Sequence, residues 1–296
     1  MRAGAGIHLK LRIARRSPAV IIGSMIRLLF TASWIVFASL LATAEVQPGS
    51  HADDASGDGL GPNSQTCRLL ELRTYHAAPG KLDALLDRFR DHTLKLFKAH
   101  GIRSVGYWLP VDNKDNLLVF LLAYPDRDAR ERSWTSFAAD PEWKKAVATT
   151  EAAGKLVDRV DQRFLTQTDF SEGFAGLDAG TGHLFEMRTY SAVDGRLPNL
   201  HARFRDHTMA LFRKHGMTNL AYFQPTPEQA GADNTLLYFL AHKDMDSALK
   251  SWEAFRADPV WIAAKKASEE KAGGSLTVDG GVKSMFLVPT DFSPVK

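Results

Sequence analysis

The sequence predicts an α+β protein built from two ferredoxin-like β-α-β-β-α-β repeats that close sheet against sheet. Three observations carry this. Phe89-Arg90-Asp91-His92-Thr93 returns unchanged as Phe204-Arg205-Asp206-His207-Thr208, inside a longer duplication that runs from Glu71-Leu72-Arg73-Thr74-Tyr75 and Glu186-Met187-Arg188-Thr189-Tyr190 to Thr168-Asp169-Phe170-Ser171 and Thr290-Asp291-Phe292-Ser293. Within each copy, strand-period and helix-period segments alternate in the split β-α-β order. Leu117 to Leu122 has no polar side, so its sheet must be covered on both faces. Helices can cover one face of such a sheet, and the second copy is the natural cover for the other. Two facing sheets then close a β-barrel with helices outside.

The elements of the first copy follow in order. Leu69 to Tyr75 reads as a strand. Pro79-Gly80 opens a helix whose apolar stripe is Leu82, Leu85, Leu86, Phe89, Leu96 and Phe97. His100 in its last turn suits the helix dipole, and Gly101 suits a left-handed cap. Ile102 to Leu109 is a second strand, 110–114 a turn, and Leu117 to Tyr124 the third strand. Arg127 to Ala138 is helical. Asp140-Pro141 supplies an N-cap followed by proline at the first helical position, restarting a helix at Glu142. Val157 to Leu165 is the fourth strand. The second copy has a longer turn, 225–234, and glycines near 280 that predict a bulge or late start in its last strand.

These elements divide the chain into an export signal (1–44), a disordered spacer (45–66), repeat 1 (67–171), a linker (172–182) and repeat 2 (183–293). The signal rests on Arg27, the apolar run Leu28 to Leu41 and Ala42-Thr43-Ala44, which are the three parts of a signal peptide. Met25 would begin a leader of ordinary length. The run is short for a stable membrane span, so the mature protein is expected to be periplasmic or extracellular, without stable membrane insertion. The formal charge of +3 is carried by this leader, which holds six basic residues and no acid; the remainder has 31 basic against 34 acidic residues. That leaves no basic footprint for nucleic acid. Cys67 is the single cysteine, so no intrachain disulfide and no thiolate metal cluster can form. No phosphate loop, nucleophile elbow or zinc-protease motif occurs, and neither a cofactor nor a metal is expected.

Taken together, Glu71 to Tyr75, the helix ending in His100-Gly101, Val105-Gly106-Tyr107-Trp108 and Ala139-Asp140-Pro141-Glu142-Trp143 resemble the NIPSNAP family. The resemblance spans both repeats. It implies a tandem NIPSNAP protein folded as an intrachain dimeric α/β-barrel, and it implies no particular reaction. Eukaryotic members are mitochondrial and linked to protein interaction, a setting an exported tandem chain does not share.

Candidate site residues come from strand alternation. If Leu70 and Leu72 face the helices, then Glu71, Arg73 and Tyr75 face the barrel interior, joined there by Glu186, Arg188 and Tyr190. Buried charge must be paired or used. One reading is an ion pair with a tyrosine partner in each strand. The other is a lumen pocket in which arginine holds an anionic or carbonyl ligand and glutamate or tyrosine moves a proton. His92 and His207 lie beside the helix stripe, either hydrogen-bonded at the core margin or serving as a general base or iron ligand. Some barrel relatives degrade haem with a helix histidine, but they also use a strand asparagine that this first strand lacks. Tyr107 and Tyr222 alternate with Trp108 and Phe223, so one of each pair should face the lumen. Trp134, Phe137 and Trp143 read as core. The expected role is binding a small molecule or a protein partner, by a monomer that is its own pseudo-dimer. The alternative is a cofactor-independent oxidoreductase, monooxygenase-like or isomerase-type enzyme.

Overall fold

The computed structural model describes residues 67–174 and 183–296. The leader, the spacer and most of the linker lie outside the described residues. Repeat 1 comprises β1 (Leu69–Ala77), α1 (Leu82–Arg88), a π-helical turn (Phe89–Thr93), α2 (Leu94–Ala99), β2 (Arg103–Pro110), β3 (Leu117–Tyr124), α3 (Arg127–Ala139), α4 (Pro141–Thr150) and β4 (Val157–Gln167). Repeat 2 comprises β5 (Leu184–Ala192), α5 (Leu197–Arg203), a second π-helical turn (Phe204–Thr208), α6 (Met209–Lys214), β6 (Thr218–Pro225), β7 (Thr235–His242), α7 (Met245–Ala257), α8 (Pro259–Lys271) and β8 (Thr277–Pro289).

The eight strands form one closed antiparallel barrel in the order β1-β3-β2-β8-β5-β7-β6-β4. Each repeat supplies four adjacent strands. The seams are short ladders between the last strand of one repeat and the second strand of the other, Trp108↔Pro289 to Pro110↔Leu287 and Leu165↔Pro225 to Gln167↔Phe223. Closure removes the sheet edges at these seams. β8 carries the expected bulge, opposite Tyr190 and Ala192, but it does not start late.

Local signals place the helices. Asp140 and Asp258 cap α4 and α8 through the amides of Glu142 and Val260, with proline at the first helical position of each. His100 and His215 do more than complement a helix dipole. His100 reaches Asp140 and His215 reaches Asp258, each at 2.7 Å, tying the ends of α2 and α6 to the starts of α4 and α8. Gly101 (φ 72°) adopts the left-handed conformation expected after α2.

The π-helical turns were not legible beforehand. In the first, the Leu94 amide donates to the Phe89 carbonyl, and the Thr93 hydroxyl donates to the Arg88 carbonyl at 3.1 Å. Thr208 repeats this on Arg203 at 3.0 Å. A π turn inserts one extra residue before the helix face returns. Thr93 and Thr208 therefore take the inward position, and His92 and His207 are exposed. The expectation that these histidines lie beside the helix stripe at the core margin is corrected on this ground.

The same turns explain two of the repeated motifs together. After β4, Thr168-Asp169-Phe170-Ser171 crosses to repeat 2: the Thr168 amide donates to the Tyr222 carbonyl, the Tyr222 amide donates to the Ser171 hydroxyl, and Asp169 pairs with Arg205 of the π turn. After β8, Thr290 and Ser293 bracket Tyr107 in the same way, and Asp291 accepts two bonds from Arg90. Each repeat is thus latched by the tail of the other.

The core has three parts. The lumen is filled by apolar side chains of both repeats, among them Leu70, Leu72, Val119, Leu121, Trp108, Phe185, Phe223, Phe239 and Leu287. The other two parts lie between sheet and helices, one per repeat.

Candidate functional site

The filled lumen overturns the proposed facing of the first strands. Leu70 and Leu72 point inward, so Glu71, Arg73 and Tyr75 point to the helix layer, and Glu186, Arg188 and Tyr190 do the same in repeat 2. Both faces of β1 are covered, so alternation alone allows either phase. The phase is decided by partners. Only the helix layer offers donors for a buried carboxylate, whereas the lumen receives side chains from two sheets and is apolar.

In repeat 1, Glu71 is fully buried. Its Oε1 accepts from Arg73 Nη1 at 2.5 Å and Arg130 Nη2 at 2.9 Å, and its Oε2 from Arg130 Nε at 3.1 Å and Trp134 Nε1 at 3.2 Å. The Arg73 guanidinium lies 4.5 Å over the Trp134 ring and reaches Gln162 and the Tyr75 hydroxyl at 3.3 and 3.4 Å. In repeat 2, Ala248 stands where Arg130 stands in repeat 1, and His242 stands where Tyr124 stands. Glu186, also buried, accepts from Arg188 at 2.6 Å, Ser284 at 2.5 Å, His242 at 2.9 Å and Trp252 at 2.7 Å. Arg188 lies 4.2 Å over Trp252, with Tyr190 at 3.5 Å. Each carboxylate is therefore saturated, with a donor for every lone-pair direction.

The electrostatics follow from these bonds. Burial alone would raise the Glu186 carboxyl, but the His242 hydrogen bond and the Arg188 charge outweigh it and hold the group at about 2. Glu71 is also lowered: burial opposes, and the Arg130 hydrogen bond with the charges of Arg73 and Arg130 prevails. Burial, reinforced by the Glu71 charge, raises Tyr124 far above its ordinary value. Near neutral pH the glutamates stay ionised and the tyrosine stays protonated. A carboxyl whose folded value lies below its unfolded value stabilises the fold above the unfolded value, and that contribution is lost as pH falls through the folded one. Between its ordinary 4.5 and about 2, Glu186 should account for a loss of about 3 kcal/mol. Urea unfolding from pH 5 to 2.5 should show this slope, reduced in Glu186→Gln; equal slopes in the two proteins would refute the assignment.

Other predicted residues are placed differently. Tyr107 and Tyr222 face the helix layer, and Trp108 and Phe223 face the lumen. Both tyrosines are fully buried, bonded to Ser104 at 2.6 Å and Asn219 at 2.5 Å, and present no surface to a ligand. The structure does not bring His92 or His207 to either glutamate cluster. Arg130, Trp134, Tyr124, His242, Trp252 and Ser284 were missed as members of the clusters. Arg130 and Trp134, one helical turn apart, carried the available signal in repeat 1.

The two repeats differ at the mouths of their clusters. The β6–β7 loop (226–234) folds over repeat 1, with Glu228 on Arg127 at 2.5 Å and the Gln229 side chain accepting from the Phe164 amide at 3.3 Å. The β2–β3 loop (111–116) is three residues shorter, and Met245 replaces Arg127. A cleft of about 310 Å³ remains there, walled by Val111, Leu117, Met245, Met285 and Phe286 and reaching Ser284. Ser284 joins this cleft to Glu186.

Among the described residues no group of histidine, cysteine and carboxylate side chains could hold a metal ion, and no helix is long and apolar enough to cross a membrane. Among solved structures, the chain is similar to an uncharacterized NIPSNAP domain protein from Burkholderia xenovorans (27% identity, 34% of this chain and 96% of that one, TM-score 0.31). It is similar to a NIPSNAP family protein from Agrobacterium tumefaciens (21% identity, 35% and 95%, TM-score 0.32). It is also similar to a putative monooxygenase from Fusobacterium nucleatum (11% identity, 78% and 99%, TM-score 0.48). No curated protein matches it. The sequence profile described as NIPSNAP matches twice, over residues 70–172 and 185–294, one match in each repeat. With both repeats matched, this chain belongs to the NIPSNAP family.

Proposed function

We propose that this protein is an exported, monomeric binding protein that holds a small molecule in the cleft at the junction of its repeats. The observation that carries this reading is the saturation of Glu71 and Glu186 in a barrel whose lumen is filled. Neither carboxylate has a lone pair to spare for a substrate proton. The junction cleft, by contrast, combines apolar walls with a few polar groups, as small-molecule sites do. Export is supported by the charged, apolar and small-residue segments of 1–44. The monomer is supported by a barrel that one chain closes by itself.

Native mass spectrometry of the protein purified from its own host tests the reading. The expected result is one chain carrying one small molecule, and loss of that molecule in Val111→Trp, which fills the cleft from an exposed position (50% exposure). A chain without added mass, or one that keeps its ligand in the variant, would overturn it.

A further inference from the structure

Repeat 2 has a further opening on its outer helix layer, separate from the junction cleft. It is a pocket of about 170 Å³ between α5, the π-helical turn and α8. Arg203, Lys271, His207 and Asn199 line it, with Ala202 at its wall. Arg203 is the residue of interest. Its side chain is 5% exposed, and its Nε and Nη1 have no hydrogen-bond partner. Nη1 forms a long ion pair with Glu269 at 3.6 Å, beyond hydrogen-bond distance. In repeat 1 the equivalent Arg88 also has an unpartnered Nε, but its Nη1 donates to Glu151 at 2.8 Å. A buried guanidinium with open donors favours an anion that accepts them.

Comparison of the copies strengthens this. Asn199 lies four residues before Arg203, and Ala84 holds that place before Arg88. Ala202 replaces Asp87, which in repeat 1 is bonded to Arg90 at 2.6 Å. Lys271, two residues after Glu269, replaces Ala153, two residues after Glu151. Repeat 2 has thus lost one carboxylate from this place and gained an ammonium and an amide. The π turn contributes as well, because its extra residue turns His207 out of the core and onto the pocket. Asp206 also lines the pocket. Its carboxylate can accept a bond from a ligand that carries a hydroxyl beside its charge.

We propose that this pocket is an oxyanion site for a small, hydroxyl-bearing anion of the phosphate type, held by Arg203 and Lys271, with Asn199 and His207 as further donors and Asp206 as an acceptor. Free phosphate and the phosphate of a compact monoester share the required chemistry.

The test is titration of the full chain with inorganic phosphate at pH 7 and constant ionic strength, with chloride as the balancing salt, followed by calorimetry and by amide shifts. The expected result is saturable binding of one phosphate per chain, with shifts centred on 199–207 and Lys271. Lys271→Ala should weaken it by about tenfold, the loss of one charge-assisted contact. Ala202→Asp should abolish it; this variant is expected to fold because repeat 1 holds Asp87 at the same place. Lys95→Ala, on repeat 1, should bind as the parent does. Glycerol phosphate titrated in the same way separates the sources: tighter binding than phosphate assigns the site to a monoester, and equal or weaker binding assigns it to the free ion. Shifts that do not saturate, or equal affinity in Ala202→Asp, would overturn the proposal.

Discussion

Glu71→Gln should lower the unfolding free energy by about 3–5 kcal/mol, the cost of leaving buried charge without its partner. The substitution is nearly isosteric, so packing hardly changes. What changes is that Arg73 and Arg130 both lose the carboxylate on which they converge. Glu186→Gln should cost less, because it strands one guanidinium, Arg188, where Glu71→Gln strands two. Urea denaturation of the two variants checks the order. Equal costs, or a larger cost in repeat 2, would refute the view that net charge around each carboxylate sets the penalty. Replacing Glu71, Arg73 and Arg130 together by apolar residues of similar volume should recover most of the loss.

Trp108→Ala should remove about 3–5 kcal/mol and leave one cooperative transition. Trp108 belongs to repeat 1 by sequence, yet its ring packs at 5.6 and 5.3 Å from Phe185 and Phe239 of repeat 2. Gly106 is part of the same packing, since a Cβ there would come within 2.3 Å of the indole. A lumen shared in this way gives neither half a core of its own. Far-UV circular dichroism and the fluorescence of the remaining tryptophans should therefore fall together at one lower urea midpoint. Two separated transitions would show that the repeats fold independently and would refute the shared lumen.

The architecture was legible because its signals are local and doubled. The apolar run Leu117 to Tyr124 demanded two covers, and the duplication named the second one. Asp140-Pro141 and Gly101 marked helix boundaries that the structure places within a residue. The candidate site was only half legible. Alternation puts Glu71, Arg73 and Tyr75 on one face of β1 but does not say which, since a strand covered on both sides satisfies either phase and only the tertiary partners decide. His92 was misplaced for a related reason: apolar periodicity assumes a regular helix, and the π turn closed by Thr93 adds a residue to it. The asymmetry between clusters was present in the differences between the copies, Arg130 against Ala248 and Tyr124 against His242, while the similarities drew the eye.

The reciprocal latches have a consequence for how such a chain can change over generations. In an assembly of two identical subunits every replacement is made twice, so a gain on one side is tied to the same alteration on the other. Here one polypeptide encodes both sides separately. Repeat 1 can keep its arginine-rich cluster beneath a long covering loop, while repeat 2 trades arginine for alanine, shortens nothing of its own scaffold, and opens new surface. The tails still hold the halves in register throughout, so one half can explore while the other conserves the frame.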